Sequence, residues 1–199
     1  MKQLWDERYS SETYVYGKEP NDFFATQLKM AKPGNILLPG EGEGRNAVYA
    51  ALKGWSVDAF DQSKAGRQKA ISLAKERGVH ISYEVCQTED FLFKPDYYDF
   101  AALIYFHVDG PTRENLHLQI YNSLKPGGTL ILEAFHKEQL NYNTGGPKSS
   151  EMLFDEALLF SDFASLKTVL LEKQIIILNE GSSHQGEASV IRFAGIKPQ

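Results

Sequence analysis

The sequence predicts an α/β fold, a three-layer α/β/α sandwich around a mostly parallel sheet. Three observations carry this expectation. Short apolar runs alternate with helix-period segments across residues 35–135, the pattern of successive β-α-β units. The run Tyr98–Phe106 is continuously apolar, as a strand covered on both faces must be. Farther on, two β-rich runs, Lys173–Leu178 and Ser189–Ile196, are joined only by Asn179–Glu187. That connection is too short for a parallel crossover, so the two runs must pair antiparallel.

The elements follow in order. Asn35–Leu38 is the first strand, closed by the turn Gly40-Glu41-Gly42-Glu43-Gly44, and Arg45–Leu52 is the helix after it, ended by Gly54. Ser56–Phe60 is the second strand and ends at Asp61. A helix from Ser63 to Arg77 stops at Gly78, and Val79–Val85 is the third strand. Tyr98–Phe106 is the fourth. Thr112–Leu124 carries Leu116, Ile120 and Leu124 on one helical face, Lys125-Pro126-Gly127-Gly128 breaks it, and Thr129–Phe135 is the fifth strand. With the terminal pair this makes seven strands in one domain, residues 1–199. Residues 1–30, rich in aromatics (Trp5, Tyr9, Tyr14, Tyr16, Phe23, Phe24), are expected as an N-terminal cap or lid, and residues 136–165 as a substrate-side insertion.

A chain of 199 residues is long enough to bury one substantial core. Its net charge of −5 and the lack of a basic stripe argue against nucleic-acid binding. The single cysteine, Cys86, excludes an internal disulfide framework and a Cys-based zinc site, and its apolar surroundings predict a structural thiol. No metal site is expected. Met1–Glu7 lacks the apolar run of a signal peptide and no stretch of 18 apolar residues occurs, so the expected location is cytoplasmic, away from membranes. The expected assembly is a monomer or homodimer.

In open α/β sheets, ligands lie beyond the C-terminal ends of the strands. Here those ends carry the glycine turn, then Asp61, then Gln87-Thr88-Glu89-Asp90, then Tyr105-Phe106-His107. Asp61 follows Gly44 by 17 residues, near the offset of roughly 20 at which an acid meets ribose hydroxyls. Together these features predict an adenosine-bearing ligand. A glycine turn opening a helix ordinarily suits an anion. Glu41 and Glu43 oppose a diphosphate there, since like charges at contact repel by roughly 4 kcal/mol at an effective dielectric near 20. A nucleoside with a cationic middle and no phosphate escapes that penalty, and S-adenosylmethionine (SAM) fits the description. The G-x-G-x-G spacing, in place of G-x-G-x-x-G, points the same way.

Further stretches narrow the reading: Trp5-Asp6-Glu7-Arg8-Tyr9, Tyr16-Gly17-Lys18-Glu19-Pro20-Asn21-Asp22-Phe23, the glycine turn with Arg45 and Asn46, Leu124-Lys125-Pro126-Gly127-Gly128, and Tyr142-Asn143-Thr144-Gly145-Gly146-Pro147-Lys148. On these residues the chain resembles the class I SAM-dependent methyltransferases over nearly its whole length. It looks most like the small bacterial group related to tellurite-resistance and thiopurine methyltransferases.

The resemblance implies a Rossmann-like fold, SAM as methyl donor, S-adenosylhomocysteine as product and a small-molecule acceptor. It implies that Gly40, Glu41, Gly42 and Gly44 face the methionine portion. Asp61, with Gln62 beside it, would meet the ribose, and Gln87, Thr88 and Glu89 the adenine. Tyr105 and Phe106 would floor the sulfonium, with Tyr14 and Tyr16 closing over SAM. Leu38 stands where the family commonly has an acid, and Gln87 where it often has Asp. On the substrate side His107 is the catalytic candidate, and His107, His136, Tyr142 and His184 are candidate substrate contacts. Two other readings stay open: a non-catalytic SAM-binding module, and an NAD-dependent oxidoreductase, the latter opposed by the two glutamates and the lack of a separate substrate domain.

Overall fold

The computed structural model describes residues 2–181 and 184–199. Met1 at the start of the expected cap, and Ser182 and Ser183 in the expected hairpin connection, lie outside the described residues.

The chain opens with α1 (Lys2–Tyr9) and α2 (Asp22–Lys29). Alternation then sets in: β1 (Asn35–Pro39), α3 (Arg45–Leu52), β2 (Ser56–Asp61), α4 (Lys64–Glu76), β3 (Ser82–Val85), β4 (Tyr98–Ile104) and α5 (Gly110–Ser123). It closes with β5 (Leu124–Phe135), α6 (Glu156–Asp162), β6 (Lys167–Glu180) and β7 (His184–Ile196). The seven strands form one sheet in the order β3-β2-β1-β4-β5-β7-β6. Neighbours from β3 to β5 are parallel, and β7 runs antiparallel to both β5 and β6. Chain direction across the sheet reverses between β1 and β4, the position at which folds of this kind open a crevice.

Helices cover both faces because each buries one apolar stripe. Phe24 and Leu28 of α2, Val48 of α3 and Leu73 of α4 pack with Ile36, Leu38 and Phe100 on one side. Leu116 and Ile120 of α5 and Leu159 of α6 pack with Leu37, Leu103 and Leu132 on the other. Asn21 caps α2 by accepting from Phe24 N, and Phe23 and Phe24 are buried. Residues 21–30 are thus core structure, while α1 and the stretch after it lie over the crevice.

The expected boundaries move for local reasons. β3 starts at Ser82 because Val79 N is spent on Ala74 O at the end of α4. β4 stops at Ile104 because Tyr105 turns into the left-handed region, at φ 51°. α5 starts at Gly110, where Asp109 caps it through Thr112 N and Pro111 costs no hydrogen bond. The Lys125–Gly128 break lies within β5: Leu124 already pairs with Tyr98, and the ladder shifts register before Phe100 meets Thr129. The terminal hairpin is longer than the apolar runs, pairing from Lys167↔Ile196 to Glu180↔His184. No helix among the described residues is long and apolar enough to cross a membrane.

Candidate functional site

A cavity of about 920 Å³ opens where Pro39, Asp61 and Tyr105 end or follow their strands, within the roughly 300–1,000 Å³ of small-molecule sites. Its floor is the glycine turn. Gly40, at φ 63°, sits so close to Phe106 that an added Cβ would lie 2.2 Å from the ring. Gly42 donates its N–H to Asp61 Oδ2 at 3.2 Å, while its carbonyl accepts from the Tyr83 hydroxyl at 2.6 Å. Gly44 is the exception among the expected ligand-facing glycines. It does not line the cavity, and its missing Cβ lets α3 abut α4, since a Cβ would come within 2.4 Å of Ala70 Cβ.

The two glutamates of the turn part company. Glu41 lines the cavity, accepts from Ala47 N at 2.7 Å, and is pushed by burial up to about 7. Glu43 turns its carboxylate toward the N-terminal segment. It accepts from Val15 N at 2.8 Å and pairs with Lys69 Nζ at 2.7 Å. Its charge is therefore balanced inside the protein, and the expected electrostatic selection by two carboxylates reduces to Glu41.

Asp61 lies at the end of β2, with Oδ1 accepting from Ser63 N at 2.8 Å; burial pushes its carboxyl up to about 6. Gln62, Gln87, Thr88 and Glu89 join it on the same wall, the last three carried by a 3₁₀ turn after β3. Tyr105 and Phe106 also line the cavity, Phe106 packed against Gly40. The Tyr105 hydroxyl is buried beside the Glu133 carboxylate. Its left-handed backbone, at φ 51°, is a strained conformation of the kind that clusters at functional sites.

Tyr16 lines the cavity, and Tyr14 does not. The Tyr14 hydroxyl donates to Lys69 O at 3.0 Å and its ring lies under the Lys18 and Lys69 ammoniums, which fixes it against α4. On the substrate side, His107 and His184 reach the cavity, whereas His136 and Tyr142 do not. His136 is spent as the cap of a 3₁₀ turn, accepting from Glu138 N, and Tyr142 closes that turn. His107 has both ring nitrogens engaged, Nδ1 donating to Met152 O at 2.7 Å and Nε2 accepting from Phe135 N at 3.3 Å. Burial lowers it to about 4. It is a neutral wall residue, and this geometry does not support the expected role as a base.

Several lining residues had no assigned role in the sequence. Trp5, Arg8 and Tyr9 of α1 close one side, and Asn143, Gly145–Ser149 and Met152 of the insertion close another. The Trp5–Tyr9 and Tyr142–Lys148 motifs were the signal for both. Arg45 binds Glu180 at 2.9 Å and Tyr16 O at 3.2 Å, joining α3 to the hairpin tip and the N-terminal segment.

Residues 36–128 match the family model described as a methyltransferase domain. That segment holds the glycine turn, Asp61, the Gln87–Glu89 wall and Tyr105. Among curated proteins, no sequence match is found. The structure is similar to TehB from Haemophilus influenzae, with a TM-score of 0.75 at 14% identity over 98% of this chain and 66% of that one. It is similar to the N-methyltransferase NodS from Bradyrhizobium japonicum WM9 in complex with S-adenosyl-L-homocysteine, with a TM-score of 0.74 at 15% identity over 100% and 98%. A SAM-dependent methyltransferase from Methanosarcina mazei gives 0.71 at 18% identity over 90% and 99%. At such identities the likeness establishes the fold, a Rossmann-like fold similar to that of TehB, within which residues 36–128 match a methyltransferase domain.

Proposed function

We propose that this chain is a SAM-dependent methyltransferase that transfers the methyl group to a small-molecule acceptor, a reading supported by the matched domain and the fold. The observation that carries the reading is a cavity lined together by the glycine turn, Asp61, Tyr105, Phe106 and His184. The residues fit a SAM-like ligand. Glu41 offers a carboxylate where a cationic amino-acid end would lie, and Asp61 offers acceptors for hydroxyls. The Tyr105 ring lines the same cavity.

In this reading Gly40, Glu41 and Gly42 hold the methionine portion and Asp61 with Gln62 the ribose. Gln87, Thr88 and Glu89 meet the adenine, and Tyr105, Phe106 and Tyr16 enclose the centre. Bound SAM supplies a methyl carbon already activated by a sulfonium. The chain's own task is then alignment, which can contribute roughly 7–11 kcal/mol through effective molarity. An enclosed cavity, together with a net charge of −5, favours a small acceptor over a nucleic acid. We place the enzyme in the cytoplasm, as a monomer or homodimer. Calorimetry with S-adenosylhomocysteine tests the reading: one site per chain is expected, and no binding at millimolar ligand would remove it.

A further inference from the structure

We propose that His184, oriented by Glu180, takes the proton from the acceptor, and that the acceptors bear a hydroxyl or thiol. This rests on the methyl transfer proposed above. His184 begins β7 and lines the cavity, and Glu180 ends β6 directly across the hairpin. His184 Nδ1 lies 3.2 Å from Glu180 Oε2. An ionised carboxylate only accepts, so Nδ1 carries the proton, and Nε2 keeps a lone pair. Among the described residues no group bonds to Nε2.

Glu180 is itself fixed. It accepts from Arg45 at 2.9 Å and from Asn21 Nδ2 at 2.9 Å. Burial pushes its carboxyl up, but the bonds from His184, Arg45 and Asn21 outweigh that and bring it down to about 2. It therefore stays anionic beside an imidazolium that forms during turnover. This carboxylate–histidine arrangement differs from His107, whose two nitrogens are already spent.

The surroundings define the acceptor. The His184 ring sits 4.6 Å from Tyr16, 4.8 Å from Tyr105 and 5.3 Å from Phe135, ring centre to ring centre. The titratable and charged groups around it are Glu180 on its own hairpin, Tyr16 from the N-terminal segment with Arg8 bonded to its hydroxyl, Tyr105 after β4 with Glu133 beside it, and His107 beyond Phe135, with Arg45 of α3 reaching it only through Glu180. An amine lone pair attacks without needing a base, whereas an O–H or S–H group must lose its proton. Such a group uses both the aromatic walls and the base. In the balanced step the O–H or S–H bond breaks and its proton goes to His184 Nε2. The bond from oxygen or sulfur to the methyl carbon forms as the sulfonium–methyl bond breaks, and that electron pair returns to the donor sulfur.

The test has a part that needs no acceptor. In the full chain labelled with ¹⁵N-histidine, ring signals of His184 are assigned by their loss in His184→Gln. The expected neutral form is Nδ1–H with a bare Nε2, set by the bond from Nδ1 to Glu180. An Nε2–H ring in the unmodified chain overturns the proposal. His184→Gln should bind S-adenosylhomocysteine within about threefold of the unmodified chain, yet methylate benzyl mercaptan about 100-fold more slowly. With 4-nitrothiophenol, already ionised at neutral pH, the loss should be under about tenfold. Equal losses on the two thiols would also overturn it. Absence of S-adenosylhomocysteine binding in the unmodified chain would instead sink the proposed function, leaving the ring tautomer to be read separately.

Discussion

Glu43 of the glycine turn and Lys69 of α4 form an ion pair at 2.7 Å with their side chains only 3% and 14% exposed. The pair is also a clasp. Glu43 accepts from Val15 N, and Lys69 donates to Thr13 O at 2.7 Å, so the segment after α1 is tied to the floor of the cavity. Removing one partner of a buried pair strands the other charge, at a cost of about 3 kcal/mol or more. Lys69→Met is expected to lower the melting temperature by roughly 6–12 °C in a chain of this size. An unchanged melting curve would show that the clasp contributes nothing.

Asp61 is the second point of test. Asp61→Ala is expected to weaken S-adenosylhomocysteine binding by about 1.5–3 kcal/mol, roughly tenfold to 150-fold, the range for a lost bond to a charged group. Calorimetry measures it directly. Unaltered affinity would mean that the ribose lies elsewhere.

Burial raises Glu41 to about 7 and Asp61 to about 6, each above its ordinary carboxyl value. These two groups therefore hold more protons in the folded chain than in the unfolded one between about pH 4 and pH 7. The stability they contribute is complete at the acid end and falls as pH rises through that window, while buried His107, lowered to about 4, acts in the opposite sense. A cationic ligand favours ionised Glu41, so its binding releases a proton and tightens as pH rises. Thermal-shift scans at pH 5 and pH 8 should show the increment from SAM growing. A constant increment would place the ligand's charge away from Glu41.

Gly40→Ala probes the floor. The position needs φ 63° and has Phe106 in the space a Cβ would take. Left-handed strain of about 1–2 kcal/mol and overpacking of about 1–3 kcal/mol should combine, displacing Phe106 into the cavity. SAM affinity should fall more than tenfold while circular dichroism keeps the α/β signature. Retained affinity would show that Phe106 swings away freely.

How much of this was legible in the sequence depended on where the deciding force was local. α3 falls on its expected Arg45–Leu52 bounds because a glycine turn and a following glycine bracket it. Asp61, Gln87 and Tyr105 lie on the cavity because strand ends in this topology have only one place to point. Tyr14 was misplaced because its partner, the Lys69 carbonyl of α4, is set by how a distant helix packs, and the same packing pairs Glu43 with Lys69 at the cavity's edge. His136 and Tyr142 follow the same logic, since a 3₁₀ turn consumed the imidazole. The long hairpin exceeded its apolar runs because polar residues such as Gln185 and Asn179 pair through backbone alone.

Tyr16 and His184 touch across the cavity although 168 positions separate them along the chain. Strand β7, which carries His184, slots between two strands already made. Since β6 pairs with β7 alone, neither strand can join the sheet before the last one is made, and the wall that carries His184 is completed at the end of chain synthesis.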